Sequence, residues 1–304
     1  PLMLDLGAGL LVGMGLACTG FGVVLGVVSR AFSPEKRSVA VGLTGAAGSF
    51  GQFAMLPASA ALISGDGWIV ALMILGALAL VMIPLGSALA GRNAAAHESD
   101  LSLRAALAEA ASHGGFWLAT AAFFVCGFQT VFVMTHFPAY LVDRGLTPAQ
   151  GMSALATIGL ANIVGSYFAG SLGARFSRKW LLAGIYAVRA VAIALFMVLP
   201  ITLVGVYLFA AVLGVTWLAT VPLTNSLVGQ IFGVKYLSTL FSITWLGHQV
   251  GGALGAWAGG ASFDASGSYV PVWLAAIALS VLAAALCVPI DERAIERQAI
   301  PRPA

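Results

Sequence analysis

Residues 116–141, FWLATAAFFVCGFQTVFVMTHFPAYL, run without a single Asp, Glu, Lys or Arg. A helix needs about 20 predominantly apolar residues to cross a hydrocarbon core. This run is continuously apolar and lacks the period-two alternation of a barrel strand, so it reads as a transmembrane helix. Eight runs of the same kind lie near 4–29, 38–63, 68–90, 152–173, 180–200, 203–227, 238–263 and 270–290. The expectation is an all-α membrane protein with nine transmembrane helices.

The composition agrees. The chain has 304 residues, of which 60% are hydrophobic and 8% charged, against about 25% charged in a globular domain. Mean hydropathy is +1.00. That is too little polar surface to cover a water-soluble shape, so most of the exterior must face lipid. The net charge of +3 does not form a basic patch, and a nucleic-acid partner is not expected. Cys18, Cys126 and Cys287 stand apart inside apolar runs, with no Cys-x-x-Cys spacing and no clustered His or carboxylate. Neither a metal, another cofactor nor a disulfide framework is expected. Pro1-Leu2-Met3-Leu4-Asp5 leads straight into an apolar run, without a basic n-region or cleavage site, so the chain reads as a fragment.

The bases set an expected orientation, because Lys and Arg beside spans are retained on the cytoplasmic side. Alternate connections hold Arg30, Lys36 and Arg37; Arg92 and Arg104; Arg175, Arg178 and Lys179; Lys235; and Arg293, Arg297 and Arg302. The opposite side holds Arg144, and Arg189 lies inside a run. The C-terminus is expected to be cytoplasmic and residue 1 outside. Trp68, Trp117, Trp180 and Trp273 open their runs, which suits interfacial anchors.

The longest polar connection, Gly91 to Gly115, contains His97, Glu98, Asp100, Arg104 and Glu109. It divides the chain into 1–90, a linker at 91–115, and 116–304. Within it, residues 100–111 are rich in Ala and Leu, suggesting a short surface helix capped by Asp100. Laying the first three spans on the last three at an offset of 200 pairs Phe32 with Phe232, Ser38 with Ser238, Gly51 with Gly251, Ala58 with Ala258 and Gly67 with Gly267. Turn, span and outer turn coincide, which marks an internal repeat. If each half has six spans, three N-terminal helices have no counterpart in this chain.

With these features the chain resembles the major facilitator superfamily, twelve helices in two six-helix halves around a central cavity, and looks like helices four to twelve. The turn Gly170-Ser171-Leu172-Gly173-Ala174-Arg175-Phe176-Ser177-Arg178-Lys179 is similar to the glycine, acidic and basic signature after the second helix of each half, and departs from it at Ala174, where Asp is usual. Phe32 to Gly42, followed by Ala46, resembles the fifth-helix signature of monocarboxylate and oxalate/formate porters. Glu35 stands where that group often has a base, and the eighth helix lacks the base that several anion carriers place there. The resemblance implies gating roles for Lys36, Arg37, Gly170, Arg175, Arg178 and Lys179.

Alternating access requires a polar site near the midplane between two halves. Arg189 lies about nine residues into its run, about 13 Å from either end at 1.5 Å per residue. A charge there costs several kcal/mol unless paired or hydrated. It can take a carboxylate bidentately, or it can bond helix carbonyls and pin helices together; the resemblance places its helix, the ninth, at the bundle periphery. His248, beside Gln249 and one turn after Thr244, is suited to coupling a proton or to bonding across a helix interface. Gln129 and His136 share a face two turns apart, with His136 close to the outer end.

Trp217, Thr220, Thr224 and Asn225 surround Pro222, which frees a backbone carbonyl and suits a hinge; Pro57 and Pro84 offer the same. Asn162 with Ser166, and Gly48 with Gln52, either line the cavity or bond a neighbouring helix. The glycines at 45, 48 and 51 and at 247, 251, 255 and 259 read as packing stripes.

The sequence therefore suggests a monomeric secondary transporter of a small organic solute in the cytoplasmic membrane. An organic anion such as a monocarboxylate is the preferred cargo, with a proton as candidate partner. The alternative is proton-coupled efflux of a drug or neutral metabolite. From another class comes a membrane scaffold or sensor that does not transport. An enzyme is not expected, since the runs hold no acid pair, metal cluster or nucleophile elbow.

Overall fold

The structure, a computed structural model, describes residues 3, 5–89 and 101–296. All regular structure among them is helical. A π-helical segment Asp5–Leu11 leads into α1 (Val12–Cys18) and α2 (Phe21–Ala31), followed by α3 (Pro34–Leu80) and α4 (Met82–Leu89). After the linker come α5 (Leu103–Ser112), α6 (Gly114–Asp143), α7 (Pro148–Gly173), α8 (Arg178–Val198), α9 (Leu203–Thr216), α10 (Thr220–Phe232), α11 (Leu237–Ser266) and α12 (Val270–Cys287). Arg92, His97, Glu98, Asp100, Arg297 and Arg302 lie outside the described residues.

Local chemistry sets the boundaries. Thr147 and Gln150 form a reciprocal capping box at α7, with Pro148 in its first turn. The Thr202 hydroxyl accepts from the Gly205 amide at 3.1 Å to start α9. The linker helix begins later than expected. Ser102 caps it, accepting from the Ala105 amide at 3.2 Å, because the serine hydroxyl reaches the third amide of the first turn. Gly67 turns α3 at φ 81°, and Gly267 follows α11 at φ 65°. These two glycines are paired by the 200-residue offset, and both adopt a backbone that side chains disfavour.

Among the described residues, six segments are long and apolar enough to cross a membrane: Ala61–Ser87, Gly114–Asp143, Pro148–Gly173, Arg178–Val198, Leu203–Phe232 and Val270–Cys287. The chain is an integral, multi-pass membrane protein. The other three runs read from the sequence coincide with the α1–α2 pair, the first part of α3, and α11. Residues 203–232 are interrupted at 217–219, between α9 and α10.

From α6 onward the helices form one bundle, in which α6 packs on α11, α8 on α12 and α7 on α9. Glycines bring α6 and α11 into backbone contact. A Cβ at Gly251 would lie 2.1 Å from the Phe124 carbonyl, and one at Gly255 2.2 Å from that of Phe128. Elsewhere the core is aromatic. Trp273 is fully buried among Phe132, Phe137, Tyr140, Phe196 and Phe209. It is thus a core residue and not an interfacial anchor, because its position one turn into α12 faces α6, α8 and α9. Trp68, Trp117 and Trp180 are exposed, as anchors are.

Candidate functional site

The helices that precede the linker meet the bundle along a seam in which α3 lies on α7 and α2 on α11. The contact is tightest at one end. A Cβ at Gly42 would lie 2.7 Å from Gly170 Cα, and one at Gly26 would fall 1.7 Å from the Ser238 hydroxyl. The Ser38 hydroxyl donates to the Gly170 carbonyl at 2.7 Å, Arg30 donates to the Ser238 hydroxyl at 2.9 Å, and Arg37 Nε donates to the Ser29 carbonyl at 2.7 Å. Further along α3 the contact relaxes, since a Cβ at Gly51, Gly65 or Gly67 would meet nothing within 4 Å. Ser38 and Ser238, paired by the internal repeat, both stand in this seam.

Two buried asparagines cross it. Asn225 Oδ1 accepts from the Ser29 hydroxyl at 3.1 Å, and its Nδ2 has no partner. Asn162 Nδ2 donates to the Ser49 hydroxyl at 2.8 Å, while its Oδ1 accepts from the Leu218 amide at 3.0 Å and from the Ser166 hydroxyl at 3.3 Å.

Arg189 sits deeper inside the bundle, fully buried. Its guanidinium donates to the carbonyls of Thr216 and Trp217 and to Gln129 Oε1 at 3.3 Å, and lies 5.5 Å from the Tyr186 ring centroid. Gln129 Nε2 donates onward to the Ala276 carbonyl at 2.8 Å and to Ser280. The cation therefore ties α6, α8, α12 and the α9–α10 break together. Thr220 opens α10 with its hydroxyl 3.1 Å from Cys126 Sγ.

His248 is also buried. Its ring stacks on Trp245 at 4.8 Å and lies 4.8 Å from Phe123, while Trp245 touches Phe21 of α2 at 5.4 Å across the seam. Nδ1 faces Gln249 Oε1 at 3.2 Å, and Nε2 has no partner. His136 is separate, with its Nε2 2.8 Å from the Ala256 carbonyl. Gln52 belongs to α3, but its side chain lies outside the described residues.

The expected gating turns divide. Gly170 is buried in the seam, Lys36 and Arg175 are exposed, and Arg37 is half-buried. Burial lowers the pKa of Arg37. The Ser33 hydroxyl, then the backbone amide of Glu35 itself, hold the Glu35 carboxyl below its ordinary range. Arg178 donates to Gln230. Lys179 Nζ donates to the Ile290 carbonyl at 2.8 Å, while Glu292 accepts from the Ser177 hydroxyl and, at 3.0 Å, from the Lys179 amide. The segment after α12 is thus clipped to the start of α8. In that segment Arg293 holds the Asp291 carboxyl down at about 2, chiefly by side-chain hydrogen bonding.

The Major Facilitator Superfamily family model matches residues 6–256 and 145–303. This chain belongs to the major facilitator superfamily. Members of that superfamily are membrane transporters, and the fold agrees. The chain superposes on the fucose:proton symporter FucP of E. coli with a TM-score of 0.67 at 16% identity, covering 88% of this chain and 72% of FucP. Monocarboxylate transporter 13 of Rattus norvegicus is 28% identical over 90% of the chain. The uncharacterized MFS-type transporter YcxA of Bacillus subtilis is 25% identical over 86%. The chain spans 64% of the rat protein's length and 66% of YcxA's.

Ser29, Ser49 and Thr216 complete contacts that sequence reasoning did not assign. A serine in an apolar run bonds its own helix as readily as a neighbour. Ser49 does both, donating to the Gly45 carbonyl at 2.9 Å while it accepts from Asn162, and composition does not distinguish the cases.

Proposed function

We propose that this major facilitator chain moves a small organic anion, of the monocarboxylate class, together with a proton across the cytoplasmic membrane by alternating access. The working unit is a monomer with a cytoplasmic C-terminus. Its halves, 1–90 and 116–304, rock about the seam, with 91–115 as the tether.

The observation that carries the proposal is the unpartnered Nε2 of buried His248. With Nδ1–H directed at Gln249 Oε1, Nε2 is the lone-pair nitrogen and accepts a proton. The Cys126 thiol on α6 lies within electrostatic reach of the imidazole. An imidazolium there would pair with a carboxylate, so the site would be neutral when both or neither are bound. Crossing a low-dielectric barrier is least costly in those two states. The relatives named monocarboxylate transporters and the proton symporter of like fold support this reading.

The tight contact at Gly42 and Gly170 lies at the end expected to be cytoplasmic, which corresponds to an outward-open conformation. Gln249, Asn225 and Trp217 remain candidates for the cavity wall, and Gln129 and Arg189 support the bundle from behind.

The test is counterflow of labelled lactate, pyruvate, formate and oxalate in proteoliposomes of the intact protein, with and without a pH gradient. Saturable uptake stimulated by external acid is expected. His248→Gln should abolish the pH stimulation while leaving exchange of preloaded anion measurable. Failure of all four anions to enter would overturn the cargo class, and unchanged pH stimulation in His248→Gln would remove the histidine from coupling.

A further inference from the structure

The break between α9 and α10 is held from two sides. On the carbonyl side, Arg189 takes the oxygens of Thr216 and Trp217. On the amide side, Asn162 Oδ1 takes the Leu218 N–H at 3.0 Å. Pro222 has no N–H, so the Leu218 carbonyl has no helical donor four residues on, and the chain can depart from a straight helix here. Buried backbone groups at an interruption must find partners, and these two side chains supply them. Trp217 is 3% exposed and Asn162 0% exposed, so both partners of the break are held inside the protein.

Asn162 differs from Arg189 in one respect. All the hydrogen bonds of Arg189 stay inside the bundle, whereas Asn162 uses its other end to bind Ser49 across the seam at 2.8 Å. Asn162 and Ser49 are buried at 0% and 1% exposure, and the amide is flat and rigid. One side chain therefore has its donor committed to the opposite half, while its acceptor takes the Leu218 amide at the break at 3.0 Å and, at the longer 3.3 Å, the Ser166 hydroxyl of its own helix.

We propose that Asn162 is a positioning residue that couples closure of the seam at Ser49 to the state of the α9–α10 break. With the seam closed, the Ser49 hydroxyl fixes the amide plane so that Oδ1 points at the Leu218 N–H. With the seam open at this end, Nδ2 loses its partner, the amide rotates in search of another, and the Leu218 amide is released. The break then relaxes about the Arg189 anchor and carries α10, with Asn225, to its second position. This rests on the alternating-access reading above, but not on the identity of the cargo.

The experiment uses the intact protein in lipid nanodiscs and needs no substrate. Hydrogen exchange is followed in the peptide containing Leu218, and the seam is followed by spin-label distances between Ser33→Cys and Phe176→Cys. Ser49→Ala leaves the Leu218 acceptor in place and removes the contact across the seam, together with a hydrogen bond to the Gly45 carbonyl of its own helix. It is expected to enlarge the long-distance population and to speed exchange at Leu218 about tenfold. Asn162→Ala should do both, with faster exchange still, and Ser166→Ala should do neither.

Unchanged exchange at Leu218 in Ser49→Ala would overturn the coupling and leave Asn162 an ordinary helix cap. Unchanged spin-label distances in both variants would overturn the part played by the seam. A chain that shows the coupled response but carries none of the tested anions would leave this inference standing and defeat the cargo proposal alone.

Discussion

At the scale of the residue, Arg189 shows how a membrane interior treats a charge. An isolated guanidinium there costs several kcal/mol, yet the Thr216 and Trp217 carbonyls and Gln129 supply acceptors to its two terminal nitrogens and Tyr186 an aromatic face. Charge-assisted hydrogen bonds of this kind contribute about 1.5–3 kcal/mol each. Arg189→Met recovers the desolvation of the cation but strands the acceptors. It is expected to lower stability by about 2 kcal/mol, read as an earlier midpoint in denaturant-induced unfolding of the detergent-solubilised protein. Arg189→Lys should recover less than half of that, because one ammonium cannot reproduce the planar fork. The sequence made Arg189 conspicuous, but a lone cation in an apolar run has the same appearance whether carbonyls or a solute face it. Its partners are backbone atoms, exposed by a break that becomes visible only once α9 and α10 are placed.

At the scale of the element, the glycine stripe of α11 was legible because a small side chain every fourth residue leaves one helix face bare. The structure adds what lies against that face. A Cβ at Gly251 meets a carbonyl oxygen of α6 at 2.1 Å, while one at Gly260 meets nothing within 4 Å. Gly251→Ala is expected to force the helices apart and cost about 1–3 kcal/mol, as overpacking of a tight interior does. Gly260→Ala should be neutral or slightly stabilising through helix propensity. Thermal unfolding of the two variants in the same detergent makes the comparison. Other features at this scale were hidden from the sequence. Trp273 opens an apolar run just as Trp117 does, and only the packing of α12 against α6 and α8 separates a core tryptophan from an interfacial one. The π-helical start at Asp5–Leu11 and the pause at Thr19 and Gly20 before Phe21 fall in a run long enough to read as one span, and glycines recur throughout it, so Gly20 does not stand out as a break.

At the scale of the whole molecule, the tightest point of the seam lies between two glycines that are distant in sequence, Gly42 and Gly170. Each Cα occupies the space where the other's side chain would be, and Ser38 closes the contact with a hydrogen bond to the Gly170 carbonyl. Such a contact is lost completely when the two sides separate by the width of a side chain, which suits a surface that must open and close. A bulky group at Gly42 cannot be accommodated with the seam shut, whereas one at Gly51 meets open space. Gly42→Trp is therefore expected to leave the α6–α12 bundle folded but to hold this end apart. Net transport should fall at least tenfold, and a cysteine introduced at Gly45 should become reactive to a membrane-impermeant thiol reagent applied from the side of this end. Gly51→Trp should retain transport within about twofold. If Gly42→Trp transported normally, the Gly42–Gly170 contact would not belong to the closed gate. If it failed to transport without opening Gly45 to the reagent, the loss would come from misfolding, which the thermal midpoint of the same sample would show. A native midpoint together with lost transport and an unreactive Gly45→Cys would remove the seam from the transport cycle.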